Sequence, residues 1–393
     1  MGVDLETFAQ DYWDTAPLVS RAAETAADFT DLLGASDVDS LVARRGLRTP
    51  FFRMVRDAEP VSGITRRTVA GSHTITDLAD GERVRREFHD GGTLVLQSLH
   101  RIWPPIVEFC RRLAAELGHP TQCNAYITPA GNAKGFAYHH DTHDVFVLQV
   151  LGRKRWQVHP PVVTLPTTRQ PRSGPDLVPD AQQPLLDIEL AAGDAMYLPR
   201  GYVHAAQTTD SESVHLTVGV MATTWYDVLR DALTLAADDI DFRHALPVAP
   251  LQALDADPEL LAGHLQQAAA WLAALPLEQV RDRVEHRLAK AVVAEPIGML
   301  EQAAAAGGAH PATRTRPRRD LRWRLDRNAD RIVVGLPDRE LDLPAFTEPA
   351  VRRLLTQPGS VGDLVAGELD AAGAVVLARR LLREGAVVVD ASG

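Results

Sequence analysis

Residues 135–156 read GFAYHHDTHDVFVLQVLGRKRW, and the rest of the chain is arranged around them. His139 and Asp141 form a His-x-Asp pair just ahead of an apolar run, Asp144 to Gln149, that reads as a buried strand. Side chains two apart on an extended backbone point to the same side. His139 and Asp141 can therefore aim at one point, while His140 between them faces away. A third ligand is offered by His204, which closes the stretch GDAMYLPRGYVH over 193–204.

Two neutral imidazoles and one carboxylate on one side of a divalent first-row ion leave the opposite positions open. Non-haem Fe(II) oxygenases use this arrangement, the open positions taking a co-substrate and dioxygen. A lone His-x-Asp is weak evidence, since a histidine near a carboxylate is more often a hydrogen-bonded pair. Here the pair opens a strand, the second histidine closes a Pro-Arg-Gly turn, and hairpin-rich β segments fill the interval. The metal reading is preferred over the structural one, although zinc or manganese would suit the same donors.

Bulk composition sets the frame. The 393 residues are 45% hydrophobic and 24% charged, enough for two or three domains with a sizeable core. A formal net charge of −11 disfavours whole-chain attraction to nucleic acid and suits a basic partner. Cys110 and Cys123, the two cysteines, give no disulfide framework, so a reducing cytoplasm is expected. The opening MGVDLETFAQDYWD has neither a basic nor an apolar signal region, and Glu6 spoils a myristoylation pattern. No apolar run approaches the ~20 residues of a membrane span.

Along the chain, residues 1 to about 60 read as short helices and loops, with Phe8, Tyr12 and Trp13 at helical spacing as core packing. Gly91-Gly92 followed by Thr93 to Leu96 reads as a turn and a strand. Ile106 to Leu117 reads as a helix whose stripe is Val107, Cys110, Leu113, Ala114 and Leu117, stopped by Gly118. Strands are expected at Asn124–Thr128, Ile188–Leu190, Ala195–Leu198 and Val214–Val220. Asp144–Gln149 and Lys154–Val158 are expected to form a hairpin around Gly152. Residues 164–185, without a period, are expected as a loop over the pocket. Many short strands with Gly/Pro turns imply a double-sheet barrel of the jelly-roll or cupin kind.

After Ala222 the character changes. Leu and Ala recur at helical intervals over 225–305, most clearly in Leu254–Leu275 and Leu277–Val293. Residues 306–319 read as a linker by composition, their four arginines as a solvated run. Beyond it, strands at Ile332–Val334, Glu340–Leu343 and Ala386–Val389 alternate with helices at Pro349–Leu355, Val361–Ala366 and Ala371–Glu384, which suggests a small winged-helix module. Its 10 Lys/Arg against 12 Asp/Glu over 320–393 argue for protein contact rather than DNA binding.

Several spaced segments, NAYITPAG (124–131), HHD with DVFVLQ, GRKRW (152–156) and YLPRGYVH (197–204), resemble in sequence and order the JmjC-type cupin oxygenases, most closely the ribosomal oxygenase branch. The likeness covers roughly the first 225 residues, and the FxxxYWxxxPL start and the tail agree with it. It implies an α+β chain: a double-stranded β-helix (cupin/jelly-roll) core with N-terminal helices, a helical dimerisation domain and a C-terminal winged-helix module. The corresponding divisions are 1–224, 225–319 and 320–393.

The resemblance also implies Fe(II) on His139, Asp141 and His204, with 2-oxoglutarate as co-substrate. Lys154 matches the family's 2-oxoglutarate lysine. Trp156 and Val158 share its face, so it enters an apolar lining, while Arg153 and Arg155 face out. Asn124 matches an asparagine near the co-substrate, though alone it could equally be a strand or turn donor. Gly219 stands where a co-substrate-binding serine is common, which leaves Thr217 or a water to supply that donor. His215 reads as a packed strand histidine, and His140 and His143 as outer groups.

The implied activity is hydroxylation of a protein side chain, a ribosomal histidine or arginine by analogy, by a cytoplasmic homodimer. The rivals are a hydroxylase of a small molecule or natural-product peptide, a non-catalytic cupin regulator, and a lysine demethylase. Intact His139, Asp141, His204 and Lys154 weigh against lost turnover, and a narrow closed mouth would favour a small substrate.

Overall fold

The computed structural model describes residues 2–25, 28–131, 137–167, 183–291 and 293–390, and it divides into two compact units, Met1–Val284 and Glu285–Gly393. Thirteen strands run through the described part of the first. They are β1 (Leu18–Ser20), β2 (Phe52–Arg56), β3 (Glu59–Pro60), β4 (Thr65–Ala70), β5 (His73–Ala79), β6 (Thr93–Leu96) and β7 (Thr121–Thr128). After them come β8 (Asp144–Leu151), β9 (Arg153–His159), β10 (Leu186–Ala191), β11 (Ala195–Leu198), β12 (Val203–Thr208) and β13 (Ser213–Val220).

These strands sort into an eight-stranded sheet, ordered β1-β11-β8-β13-β7-β6-β2-β3, and a three-stranded sheet, β10-β9-β12. Strands β4 and β5 pair apart from both. Consecutive strands repeatedly change sheet, as in the expected jelly roll. Strand β8 explains why the motif reads as a continuous apolar run. Val145 and Val147 pack with Trp156, Val158 and Leu190 between the sheets. Phe146, Leu148 and Val150 turn outward into a second core shared with Phe8, Phe29 and Leu33. Both faces are covered, so alternation disappears.

The structure corrects several expectations. Strands β8 and β9 are not a paired hairpin: β8 pairs with β11 and β13, β9 with β10 and β12. Gly152, at φ +67, turns the chain from one sheet to the other. A β-carbon there would lie 1.9 Å from the Glu212 carbonyl oxygen, so a glycine is required. The helix Pro104–Leu117 buries Ile106, Cys110, Arg111 and Ala114, a stripe turned slightly from the expected one. The expected helix Leu254–Leu275 is two, Pro250–Ala256 and Pro258–Ala274. Asp257 caps the second by accepting from the Glu259 N–H, and Pro258 fills its first position. The loop expected at 164–185 lies largely outside the described residues.

The second unit has a core of its own, with Ile332, Val334, Val351, Leu377 and Leu381 inside. Strands Arg324–Asn328, Arg331–Gly335 and Glu340–Pro344 form one sheet; Gly359–Ser360, Arg314–Pro317 and Val387–Val389 form another. The stretch expected as a linker is folded: Ala306 and Ala309 are buried in this core, and Thr315 pairs with Val389. Small side chains that read as flexible in composition are what let the helix Met299–Gly308 pack closely. Gln302 on that helix is buried and donates to the carbonyls of Leu382 and Val387 at 2.8 and 2.6 Å.

Candidate metal centre

His139 lies in the approach to β8, and His204 is the second residue of β12. Their backbones form an isolated β-bridge, the His139 N–H donating to the His204 carbonyl at 3.2 Å and the reverse bond at 2.8 Å. The Gly201 N–H donates to the Asp141 carbonyl at 3.0 Å. Backbone bonds alone thus bring together segments more than sixty positions apart. One ligand atom from each of His139, Asp141 and His204 lies within 4.8 Å of the others. The His204 Nε2 to Asp141 Oδ2 distance is 3.8 Å.

The donor set fits a divalent ion. The Nδ1 atoms of His139 and His204 lie 2.9 and 3.0 Å from the carbonyls of Ala137 and Tyr202. Each ring donates through Nδ1–H, which leaves Nε2 as the lone pair, the usual arrangement behind a ligating histidine. Burial, then the neighbouring His139, push the His204 imidazole down to about 4, so it is neutral at ordinary pH, as ligation requires. His140 is buried and is not one of the three residues whose ligand atoms converge.

The triad opens into a cavity of about 370 Å³, lined among others by Tyr126, Val145, Lys154, Trp156, His215 and Thr217. Lys154 is 3% exposed and donates from Nζ to the Thr128 Oγ1 at 3.0 Å. Burial pushes its ammonium down to about 7. Trp156 and Val158 are buried beside it, while Arg153 and Arg155 face out and pair with Glu189 and Asp187. Thr217 is on the cavity wall. Asn124, opposite Thr217 in the β7–β13 register, accepts the Ser98 N–H at 2.9 Å through Oδ1 and is not among the lining residues.

Tyr126, Arg53 and Ala58 escaped the sequence reading although they line this cavity. Tyr126 lies two positions beyond Asn124 on the same strand, so a period of two would have found it. Arg53 and Ala58 come from the β2–β3 hairpin, and no local signal ties that hairpin to the motif. An adjoining hollow of about 420 Å³, lined by Asp57, Arg155, Gln157 and Gln207, shares Ala58, Ala137, Tyr138 and Ala206 with the cavity. Behind the triad, the buried Asp144 accepts from the Arg200 N–H and guanidinium, both at 3.1 Å. Arg200 also pairs with Asp14, which ties the N-terminal segment to the turn that leads into His204.

The jelly roll and the facial triad define a class, and the sequence agrees with it: residues 101–228 match the JmjC domain family. The likeness to JmjC domains is carried by that segment, and curated relatives and solved structures extend the similarity to ribosomal oxygenases. The chain is 29% identical to ribosomal oxygenase 1 of Gallus gallus over 250 residues, 62% of this chain and 40% of that one. It is 28% identical to ribosomal oxygenase 2 of Rattus norvegicus over 308 residues, 73% and 63% of the two chains. The chain therefore spans less than two thirds of either relative. The fold of Escherichia coli ribosomal oxygenase YcfD superposes with a TM-score of 0.54 at 16% identity, covering 99% of this chain and 98% of that one. A structure of the same bacterial protein is in complex with cobalt and 2-oxoglutarate, with a TM-score of 0.50 at 15% identity and the same coverage.

Proposed function

We propose that this chain is an Fe(II)- and 2-oxoglutarate-dependent oxygenase that hydroxylates a protein side chain, a histidine or arginine of a ribosomal protein. The observation that carries this reading is the convergence of His139, Asp141 and His204 in the cavity that buries Lys154. Fe(II) with 2-oxoglutarate and dioxygen supplies the oxidising chemistry: one oxygen atom enters a C–H bond, the other enters succinate, and CO2 leaves.

The chain's own residues hold and orient. His139 and His204 present Nε2 and Asp141 a carboxylate oxygen to the ion. Lys154 meets the distal carboxylate of the co-substrate, a charge-assisted contact, and Thr217 lines the same cavity further along. Val145, Val147 and Trp156 make a dry apolar wall. The hollow that continues the cavity past Tyr138 suits an extended substrate segment better than a small molecule, and the −11 net charge suits a basic one.

We read residues 225–319 as carrying the dimer contact. Trp225, Val248 and Leu251 are 83%, 97% and 77% exposed, apolar side chains of the kind a second copy would cover. The tail is read as a winged-helix module used for protein contact, and the protein as cytoplasmic. The deciding experiment is succinate production from 2-oxoglutarate with added Fe(II), comparing wild type with His139→Ala. The variant loses turnover and keeps its fold; equal turnover in both ends the assignment.

A further inference from the structure

His215 lies in the middle of the eight-stranded sheet, paired with Tyr126 on β7 and Gln149 on β8. It is 4% exposed. Its ring stacks on Tyr126 at 4.9 Å and 3°, and meets Trp156 edge-on at 5.2 Å and 82°. A ring held on two sides in this way reads first as packing. Two further observations go beyond packing. His215 is on the wall of the cavity, and its Nδ1 is enclosed with no hydrogen-bond partner among the described residues.

Register places it along that cavity. Lys154 reaches from the small sheet to Thr128, which pairs with Ser213. The next inward-facing pair on β7 and β13 is Tyr126 with His215, and the next is Asn124 with Thr217. His215 therefore follows the lysine anchor directly. Burial, then the neighbouring Lys154 ammonium, push its imidazole well below the ordinary range, so the ring is neutral and carries one N–H. At Nδ1 that proton would be enclosed without an acceptor, an expensive arrangement. It belongs on Nε2, the nitrogen left for a molecule in the cavity.

We infer that His215 donates a hydrogen bond through Nε2–H to the distal carboxylate of the co-substrate, as a second donor beside Lys154. This rests on the 2-oxoglutarate reading of the cavity. A carboxylate has two oxygens and about four acceptor positions. Lys154 alone, already bonded to Thr128, cannot fix the orientation of its plane. Gly219, two positions beyond Thr217 on the same face, brings no donor. His215 is a binding and positioning residue in this account, and no proton leaves it during turnover.

The test is calorimetric titration of the full-length, Zn(II)-loaded protein with two probes. One is 2-oxoglutarate; the other is 2-oxobutyrate, which keeps the metal-binding end and lacks the distal carboxylate. His215→Phe keeps an aromatic ring against Tyr126 and removes the donor. We expect it to weaken 2-oxoglutarate roughly 10- to 100-fold, to change 2-oxobutyrate less than about twofold, and to leave zinc content unaltered. His215→Gln restores a donor and recovers most of the loss. Unchanged 2-oxoglutarate affinity, equal weakening of both probes, or loss of zinc from His215→Phe overturns the inference while the oxygenase reading stands. A wild type that binds neither probe rejects that reading and the inference with it. If His215→Phe does not fold, 15N-imidazole NMR of the wild type carries the test. The His215 Nε2–H resonance shifts with 2-oxoglutarate and not with 2-oxobutyrate, and equal or absent shifts overturn the inference.

Discussion

The imidazole of His143 fills the space a side chain at Gly219 would need: a β-carbon built on Gly219 lies 3.2 Å from both Cε1 and Nε2 of that ring. The Gln122 side chain, on the strand paired with Gly219, holds the ring through its amide, 3.1 Å from the imidazole Nε2. Glycine at 219 and histidine at 143 are one packing solution. Gly219→Ser alone crowds the ring and is destabilising; in a His143→Ala background it is tolerated. A double-mutant cycle by urea denaturation gives a coupling of at least about 0.5 kcal/mol. Additive effects would show that the two positions are independent.

The second prediction concerns pH. An unperturbed lysine titrates near about 10.4, and burial holds Lys154 at about 7. The empty site therefore sheds its proton as pH rises through about 7. A distal carboxylate binds the protonated form, so 2-oxoglutarate affinity falls above pH 7, by up to about tenfold per unit. Lys154→Met flattens the profile and weakens binding at every pH. For the ligand-free fold, the unfolded chain holds between about pH 7 and 10 a proton that the buried amine has lost, so this group's contribution to stability rises with pH across that window. Calorimetry from pH 6 to 9 checks the affinity slope, and a flat wild-type profile would remove Lys154 from the binding site.

The third concerns the ion pair behind the metal centre. Asp144 is fully buried, and burial raises its carboxyl despite Arg200 beside it. Arg200→Ala leaves that carboxylate without its main cation and costs about 3–5 kcal/mol. It also loosens the turn into His204, so metal affinity falls along with stability. Arg200→Met combined with Asp144→Leu recovers most of the stability. Denaturation curves and metal titration of the three proteins decide this, and an Arg200→Ala protein as stable as wild type contradicts it.

The fourth is at the corner between sheets. Gly152→Ala forces a side chain into the left-handed region and onto the Glu212 carbonyl. The loss is at least about 2 kcal/mol, read as a lowered urea midpoint. A loss under about 0.5 kcal/mol would mean the corner adapts freely.

How far the sequence was legible follows from which signals are local. Strand limits at Thr93–Leu96 and Ala195–Leu198 came out as observed, because Gly-rich turns bound them. The outward-facing arginines flanking Lys154 could be read from a period of two. Sheet membership could not: β8, Gly152 and β9 look like a hairpin, and only pairing with distant strands puts the two in different sheets. The folded stretch 306–319 was hidden for a similar reason, since Ala306 and Ala309 gain meaning only against the helix Ala371–Arg383. At the site, the His-x-Asp spacing was visible, whereas the convergence of Tyr126, His215 and the β2–β3 hairpin on one cavity is a product of topology.

One register has a consequence for selectivity. On the small sheet, Val158 of β9 pairs with His204 and Lys154 pairs with Thr208, so the metal end and the ammonium end are four residues apart on neighbouring strands. At about 3.3 Å per residue that is a backbone interval of about 13 Å. The interval is fixed by hydrogen bonds in one sheet and not by the reach of any loop. The three strands would thus set the spacing between metal and lysine that a bound dicarboxylate has to span. On the 2-oxoglutarate reading, diacids one carbon shorter or longer would bind more weakly, because changing that backbone interval would require unzipping the sheet itself.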